Sequence, residues 1–407
     1  MRALACLLLL TAACASAVEP LPGDSGAAVL DAGTSPVADA ETAPDATAQP
    51  DAGAAQPDAA PADARIVDPP DAGLAPDATT DAGLDLYFPP ADGEWATLDP
   101  AASGWDPAAL EAAVTYAGDH ATRALVITQG GRILAERYWN ADASFERDIA
   151  SAQKSIVAVL TGIAVDEGRV ALEDPVSTHL GMGWTFQIPA EEQQIQVRHL
   201  LTMTSGLDPD FRRAAAPGTT WLYDTDAYQQ VRRMLEATYA TDIGALSTAK
   251  LFAPIGARSA NWVERRLMRD PHGNPLLGLE LTARDLARFG VLVLARGRWA
   301  DTRVVNEAFL TQALTSSQPL NPAYGLLWWL NGQSFALLPP RARVEGTLIP
   351  HGPADLVAAL GAEDQKLYVS ASERLVVTRL GASAGPRAGA LSSFDDELWT
   401  RIMAAKR

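Results

Sequence analysis

The chain has 407 residues and a formal net charge of −18, with 50 acidic and 32 basic side chains. Residues 15–86 hold fourteen acids and one arginine, so only −6 falls on residues 87–407. The sequence has no basic patch that would indicate nucleic-acid binding, so nucleic acid is not expected as a partner. Both cysteines precede residue 15, which excludes a disulfide framework, a cysteine-bound metal and a cysteine nucleophile from the rest of the chain. No His-x-x-x-His spacing occurs, so neither a metal nor another cofactor is expected.

Residues 1–17 are predicted to be an export signal. Arg2 supplies a positive start, and the apolar stretch after it is too short to span a bilayer as a helix. Thr11-Ala12-Ala13-Cys14 resembles a bacterial lipobox, in which Cys14 becomes the lipidated first residue, although leucine is usual where Thr11 stands. Ala15-Ser16-Ala17 is a competing site for ordinary signal peptidase. We expect an outer-membrane or cell-surface lipoprotein that contacts the membrane only through the lipid on Cys14, or a periplasmic or secreted protein if the second site is used.

Residues 18–86 are predicted to be a disordered tether. They are mostly alanine, aspartate, proline and glycine, and Asp-Ala-Gly recurs at 31, 51, 71 and 81. Such a composition cannot bury enough apolar surface to offset its ordering entropy. A flexible chain of about 70 residues reaches roughly 45 Å, which is enough to hold a domain away from a membrane. A low-complexity insertion without a function of its own is the alternative interpretation.

Residues 87–407 are predicted to form one α+β domain. Its middle, about 150–300, is rich in helical patterns, whereas strand patterns lie near both ends. The simplest architecture is an antiparallel sheet closed by both ends of the domain and flanked by helices, with an inserted helical lobe. The predicted end elements are a helix over 107–116, hairpin strands over 124–128 and 132–136, hairpin strands over 366–370 and 375–379, and a helix over 394–405.

Ser151 and Lys154 form a Ser-x-x-Lys pair at the start of a predicted buried helix. The apolar run from Ile156 to Val165 predicts that helix. Residues i and i+3 share a helix face, so Lys154 Nζ can reach Ser151 Oγ. Burial and the helix N-terminus both disfavour a charged ammonium, so Lys154 is predicted to accept the serine proton. The same helix start directs backbone N–H groups at an incoming carbonyl oxygen.

Three other segments bear on this chemistry. A second Ser-x-x-Lys match, Ser247 to Lys250, has no buried helix behind its lysine, and we interpret it as a capped surface turn. Tyr223 could pass a proton to a leaving group if it lay beside the pair, although a lone tyrosine is more often packed in a core. The turn at Gly361-Ala362 could supply a backbone N–H to an oxyanion hole.

In this order the elements resemble the serine β-lactamase and D,D-peptidase superfamily, and most of all its class C β-lactamase-like branch, which includes esterases and 6-aminohexanoate-dimer hydrolases. The resemblance spans about 95–405. It implies an acyl-enzyme on Ser151, Lys154 as general base, Tyr223 as proton relay, and an oxyanion hole formed by the backbone N–H groups of Ser151 and Ala362. The segments that carry the resemblance are 151–154, 199–207, 223–225, 281–290, 324–329 and 360–369.

Two departures from the family pattern narrow the expected substrate. Thr225 stands where the second motif usually has asparagine, and its hydroxyl lacks the reach of the amide. The third motif is usually Lys-Thr-Gly but here reads Ala359-Leu360-Gly361, without the lysine that helps to hold a substrate carboxylate. An uncharged ester or small amide therefore fits best. A D,D-carboxypeptidase or β-lactamase and a catalytically silent cell-envelope binding protein are the alternatives. His199 is expected to pack structurally.

Overall fold

The computed structural model describes residues 85–339, 341–385 and 390–407. The predicted export signal, Cys14 and residues 18–84 of the predicted tether lie outside these ranges, so their assignments stay predictions. None of the helices within the described ranges has the length and apolar character that a membrane span requires. The first helical turn begins at Ala101, inside the domain predicted for residues 87–407.

A six-stranded antiparallel sheet forms the centre of the described domain. The strands are β1 Thr122–Gln129, β2 Arg132–Tyr138, β3 Glu146–Asp148, β4 Asn261–Arg269, β5 Pro275–Thr282, β6 Arg298–Trp299, β7 Thr302–Arg303, β8 Trp329–Leu330, β9 Phe335–Leu338, β10 Ala342–Glu345, β11 Val357–Gly361, β12 Gln365–Ser370 and β13 Leu375–Gly381. The central order is β2-β1-β13-β12-β11-β8, and a smaller sheet has the order β3-β5-β4. The first and the last strand, β1 and β13, are therefore neighbours, as the predicted architecture requires.

Helices cover both faces of the central sheet. They are α1 Pro107–Asp119, α2 Gln153–Asp166, α3 Ser177–Leu180, α4 Pro189–Glu192, α5 Val197–Leu201, α6 Thr225–Tyr239, α7 Ile243–Ser247, α8 Ala283–Leu294, α9 Glu307–Ala313 and α10 Ser393–Ala404. Gly290 of α8 fits against Leu367 and Val376 on one face of the sheet. The next residue on β12, Tyr368, points to the other face and meets the ring of Trp399 in α10 at 5.7 Å. The sheet is thus buried between helices, and the predicted α+β class is confirmed.

The elements predicted for the two ends of the domain are also confirmed. The first predicted hairpin is β1 and β2, and its turn residues Gly130 and Gly131 have φ angles of 56° and 83°. Positive φ at both central residues is the requirement of the type I′ turn that suits two-residue hairpins. The second predicted hairpin is β12 and β13, and the predicted terminal helices are α1 and α10.

The inserted lobe between β3 and α8 contains the expected helices, together with a hairpin that the sequence pattern does not predict. Strands β4 and β5 pair with each other, and β5 also pairs with β3. Most residues of β4 are exposed, so this strand lacks the apolar alternation by which strands are recognised. Gln153 Nε2 donates a hydrogen bond to the carbonyl of Leu277 at 2.8 Å. This bond anchors the hairpin beside the start of α2.

Candidate active site

Ser151 lies in a tight turn between β3 and the buried helix α2. The turn is a single 3₁₀ segment, Ala150–Ala152, that leads directly into the helix. Ala150 has a φ of 51°, a left-handed conformation that costs a non-glycine residue roughly 1–3 kcal/mol. Its N–H donates to Asp148 Oδ1 at 2.8 Å, which holds the backbone in this conformation. The strained turn thus carries Ser151, which is half-buried.

Lys154 lies one helical turn further and is 2% exposed. Its Nζ is 3.0 Å from Ser151 Oγ and 3.3 Å from Thr225 Oγ1. The rings of Tyr223 and Tyr228 flank the amine, with their centroids 4.9 and 4.6 Å from Nζ. Among the described residues, no carboxylate lies close enough to form an ion pair with Lys154. The predicted proximity of the lysine and the serine is therefore present in the structure.

Burial of Lys154 lowers its pKa from 10.5 to about 7. The positive charge of Arg265 acts in the same direction, whereas the carboxylates of Asp224 and Asp226 oppose the shift. Burial also raises the pKa of Asp224 itself, to about 6. At neutral pH a substantial fraction of Lys154 is therefore the free amine, which is the form that can accept a proton.

Tyr223 is half-buried and lies beside the Ser151 hydroxyl. Burial raises the pKa of its phenol to about 12, although interactions with Ser151 and Arg265 oppose the rise. The phenol is thus protonated near neutral pH and can donate a proton. Neighbouring rings hold it in place: Trp329 stacks on it at 6.1 Å and Tyr324 meets it edge-on at 6.3 Å. The structure therefore brings together Ser151, Lys154, Tyr223 and Thr225; their catalytic roles stay predictions.

Gly361 and Ala362 lie against the turn that carries Ser151. A Cβ atom on Gly361 would sit 2.1 Å from the carbonyl oxygen of Ile149, so only glycine allows the end of β11 to approach this closely. Ala362 follows as the exposed first residue of a 3₁₀ turn, Ala362–Asp364, that contacts the Ser151 turn. The backbone N–H groups predicted to form an oxyanion hole therefore belong to two touching segments. Their role is a prediction that the geometry permits.

A buried arginine restrains the turn that follows Ala362 through hydrogen bonds. Glu363 and Asp364 both have left-handed backbones, with φ angles of 57° and 59°. Arg379 is fully buried, and its Nη1 donates to the carbonyl oxygens of both residues, at 3.1 and 2.9 Å. Gln365 adds a bond from Nε2 to the carbonyl of Glu363 at 3.0 Å. Two consecutive strained residues are thus restrained by side chains of β12 and β13.

The second Ser-x-x-Lys match does not form a pair of this kind. Ser247 is buried, and its Oγ accepts a hydrogen bond from Trp262 Nε1 at 3.0 Å. Lys250 instead pairs with Glu167 at the surface, with 2.7 Å between Nζ and Oε1. The same spacing thus produces a serine–lysine contact only where a buried helix follows.

His199 takes a structural role in the first turn of α5. Its Nδ1 accepts the backbone N–H of Gln196 at 3.0 Å, as part of a capping box. Burial lowers the pKa of this histidine. Within the described ranges, no group of three or more His, Cys, Asp or Glu residues could hold a metal ion.

Arg265 and Asp148 are the parts of the site that sequence reasoning missed. The guanidinium of Arg265 binds both carboxylate oxygens of Asp148, at 2.8 Å each. Asp148 in turn accepts the N–H of Ala150, next to the predicted nucleophile. Arg265 is one of several charged residues of β4. Only the tertiary structure shows that it is partly buried whereas its neighbour Arg266 is exposed. No signal in the sequence could have selected it.

Comparison with known proteins defines the class to which this fold and site belong. The beta-lactamase family model matches residues 108–387, a stretch that includes Ser151, Lys154, Tyr223 and Ala362. The chain belongs to the beta-lactamase family. The predicted membership of the serine β-lactamase and D,D-peptidase superfamily is thereby confirmed, and the chain is a β-lactamase-fold serine hydrolase by family.

Individual relatives are distant. An uncharacterized protein of Alkalihalophilus pseudofirmus is 22% identical over 318 residues, which cover 68% of this chain and 90% of that protein. The D-alanine carboxypeptidase AmpC of Burkholderia cenocepacia is 18% identical with a TM-score of 0.54, over 73% of this chain and 97% of that one. EstCE1, a hydrolase with promiscuous acyltransferase activity, is 13% identical with a TM-score of 0.54, over 72% and 97%. At these identities the two solved structures show a shared fold and do not identify a substrate for this chain.

Proposed function

We propose that the chain is an exported serine hydrolase that cleaves an ester or a small amide through an acyl-enzyme on Ser151. The observation that carries this proposal is the 3.0 Å distance between Lys154 Nζ and Ser151 Oγ. Desolvation of the amine keeps much of it uncharged near neutral pH, because its pKa is lowered to about 7. A free amine at this distance can accept the proton of a serine hydroxyl as that hydroxyl attacks.

The proposed reaction uses the side chains of Ser151, Lys154 and Tyr223. Lys154 takes the Ser151 proton while Oγ bonds to the substrate carbonyl carbon, and the backbone N–H groups of Ser151 and Ala362 bind the oxyanion that forms. Tyr223, protonated because its pKa is about 12, donates a proton to the departing alcohol or amine, and the Lys154 ammonium restores it. Water then attacks the acyl-enzyme with the reverse proton transfers. The acid is released and Ser151 regains its hydroxyl.

The charges near the oxyanion turn favour an uncharged acyl group. Ala359 is buried and stands where the family usually has a lysine. Lys366 is fully buried, with its Nζ 3.0 Å from Asp364 Oδ1 and 2.8 Å from Asp395 Oδ1. Among the described residues on this edge, the half-buried Glu363 is paired with Arg147. Among these described residues, a substrate carboxylate would therefore find no unpaired cation.

The decisive experiment is active-site labelling of the full chain with a fluorophosphonate, followed by mass mapping of the adduct. We expect the adduct on Ser151, and none in Ser151→Ala. Lys154→Met should slow labelling by about 10²-fold or more, since general-base catalysis contributes that much. Lys250→Met, in the second Ser-x-x-Lys match, is the matched control and should label normally. A folded wild-type chain without an adduct on Ser151 would support the catalytically silent binding protein instead.

A substrate panel then distinguishes the ester or small-amide hydrolase from the D,D-carboxypeptidase or β-lactamase alternative. We expect turnover of a short-chain nitrophenyl ester or a small amide, with little acylation by penicillin. Rapid acylation of Ser151 by penicillin, without ester turnover, would favour the D,D-carboxypeptidase or β-lactamase alternative. The Ser151→Ala variant is the control for background hydrolysis in both assays.

We also propose that the domain is exported and anchored through a lipid on Cys14. The lipobox-like segment and the polar tether after it support this proposal. Labelled palmitate should be incorporated by the wild-type chain and by Cys6→Ala, but not by Cys14→Ala. Equal incorporation in all three chains would refute the anchor. Recovery of the wild-type chain from the cytoplasmic fraction would refute export.

A further inference from the structure

Arg265 brings a positive charge to a site whose third motif has lost its lysine. This arginine lies on β4, in the hairpin of the inserted lobe, and its side chain is 16% exposed. Its Nε and Nη2 donate to Asp148 Oδ2 and Oδ1, both at 2.8 Å. Such a bidentate pair fixes the guanidinium in orientation as well as in position. A second, longer contact at 3.5 Å joins Nη2 to Gln153 Oε1 at the start of α2.

The ion pair is built into the backbone around it. Asp148 Oδ1 also accepts the N–H of Ala150, whose left-handed φ of 51° sets the direction of the chain into Ser151. On β5, a Cβ at Gly278 would lie 2.4 Å from Asp148 Oδ2 and 2.9 Å from Arg265 Nε. Glycine at this position therefore leaves room for the pair. A continuous path of contacts runs from Arg265 through Asp148 and Ala150 to the predicted nucleophile.

The charge of Arg265 also acts on the two residues proposed to move protons. It lowers the pKa of Lys154, second only to burial, and it opposes the rise in the pKa of Tyr223. The groups that face Lys154 from the neighbouring elements are Ser151 of the nucleophile turn, Tyr223, Asp224, Thr225, Asp226 and Tyr228 at the start of α6, and Arg265 of β4. Asp224 and Asp226 favour the ammonium, so Arg265 is the cation in this set that favours the free amine.

We propose that Arg265 is a positioning residue of this active site: through Asp148 it holds the turn that carries Ser151, and its guanidinium stands among the groups that face Lys154. The inference rests on the proposed function for its catalytic meaning. Because the Arg265 guanidinium is already bound to both oxygens of Asp148, it is not itself a carboxylate-binding group for substrate.

The first test measures Lys154 directly and needs no substrate. The chain has four lysines, so a ¹³C-lysine-labelled full chain gives few signals, and the Lys154 signal is the one missing in Lys154→Met. Arg265→Met should raise the titration midpoint of Lys154 by roughly 0.5–1 pH unit, less than an uncompensated charge would, because Asp148 offsets part of the field. Arg266→Met, which removes the exposed neighbouring arginine, is the matched control and should leave the midpoint unchanged.

Replacement of Asp148, the carboxylate partner of Arg265, should shift the Lys154 midpoint in the opposite direction. Asp148→Asn removes the negative half of the pair, so the Lys154 midpoint should fall. Arg265→Lys keeps the charge, and its midpoint should stay near that of the wild type. Loss of local structure would move the midpoint of Arg265→Met and Asp148→Asn in the same direction. A shift in the same direction in both variants, or an unchanged midpoint in Arg265→Met, would overturn the proposal. If Arg265→Met does not fold, the direction of the Lys154 midpoint shift in Arg265→Lys and Asp148→Asn decides.

The rate of Ser151 phosphonylation gives the second readout. Arg265→Met should lower this rate about tenfold at pH 7. Arg265→Lys should keep the pH dependence of the wild type but react more slowly, because a lysine cannot bind both oxygens of Asp148. Equal rates in Arg265→Met and Arg266→Met would overturn the positioning role. A wild-type chain that takes no phosphonate but shows the expected lysine titrations would reject the proposed hydrolase and still support the effect of Arg265 on Lys154.

Discussion

Replacement of Gly361 by alanine tests whether the end of β11 completes the reaction site. The new Cβ would lie 2.1 Å from the carbonyl oxygen of Ile149 and 3.1 Å from the Cβ of Gln365. Gly361 has a φ of −117°, which any residue can adopt, so the whole effect is steric. An ordinary carbon–oxygen contact needs more than 3 Å, so the strand end has to move by about 1 Å away from the Ser151 turn.

That movement displaces the N–H of Ala362 from the oxyanion position. A misplacement of about 1 Å costs roughly 10²-fold in rate, and loss of one oxyanion donor costs about 10²–10³-fold. We therefore expect kcat/KM for an ester substrate to fall by about 10²-fold, mainly through kcat. The free energy of unfolding should fall by only about 1–3 kcal/mol, as for other overpacked sites.

The assay compares Gly361→Ala with Gly385→Ala, whose added Cβ meets no atom of the described residues within 4 Å. Ester hydrolysis and urea unfolding are measured on both variants under the same conditions. A folded Gly361→Ala chain whose kcat/KM stays within about threefold of the wild type would show that the N–H of Ala362 does not stabilise the transition state.

Three further outcomes are expected. The activity should rise with pH through a midpoint near 7, because Lys154 acts as the free amine and its pKa is lowered to about 7; a flat profile of kcat/KM between pH 6 and 8 would contradict this. Thr225→Val removes the hydroxyl 3.3 Å from Lys154 Nζ and should reduce kcat/KM by about 3- to 10-fold, the value of one hydrogen bond, as measured by ester hydrolysis. Asp395→Asn weakens the buried pair with Lys366 and should lower the free energy of unfolding by about 3 kcal/mol in urea, whereas Glu111→Gln in an exposed pair should cost under about 1 kcal/mol.

Much of the fold could be predicted because its signals are local. Two short apolar runs and the Gly130-Gly131 turn between them identify the first hairpin, and a helical stripe identifies α10. The hairpin of β4 and β5 could not be predicted, because β4 is mostly exposed and its charged residues show no apolar alternation. Its pairing with β5 comes from backbone hydrogen bonds, which leave no mark on side-chain type.

The candidate site divides in the same way. The sequence by itself determined the Ser151–Lys154 pair, because an i, i+3 spacing on a buried helix brings the two side chains to one face. The resemblance to the serine β-lactamase and D,D-peptidase superfamily also indicated Tyr223, Thr225, Gly361 and Ala362. Only the tertiary structure decided that these segments meet, since the contacts join residues more than 70 positions apart.

The electrostatics of the site were decided by the tertiary structure alone. Whether a lysine is a base depends on its desolvation and on charges that other elements bring near it. Ser247 and Lys250 have the same spacing as Ser151 and Lys154, yet Lys250 lies at the surface and pairs with Glu167. The charge that favours the free amine of Lys154 comes from Arg265, on a strand that the sequence pattern does not reveal. Spacing along a helix is a local property, whereas burial and electric field depend on how the whole domain packs.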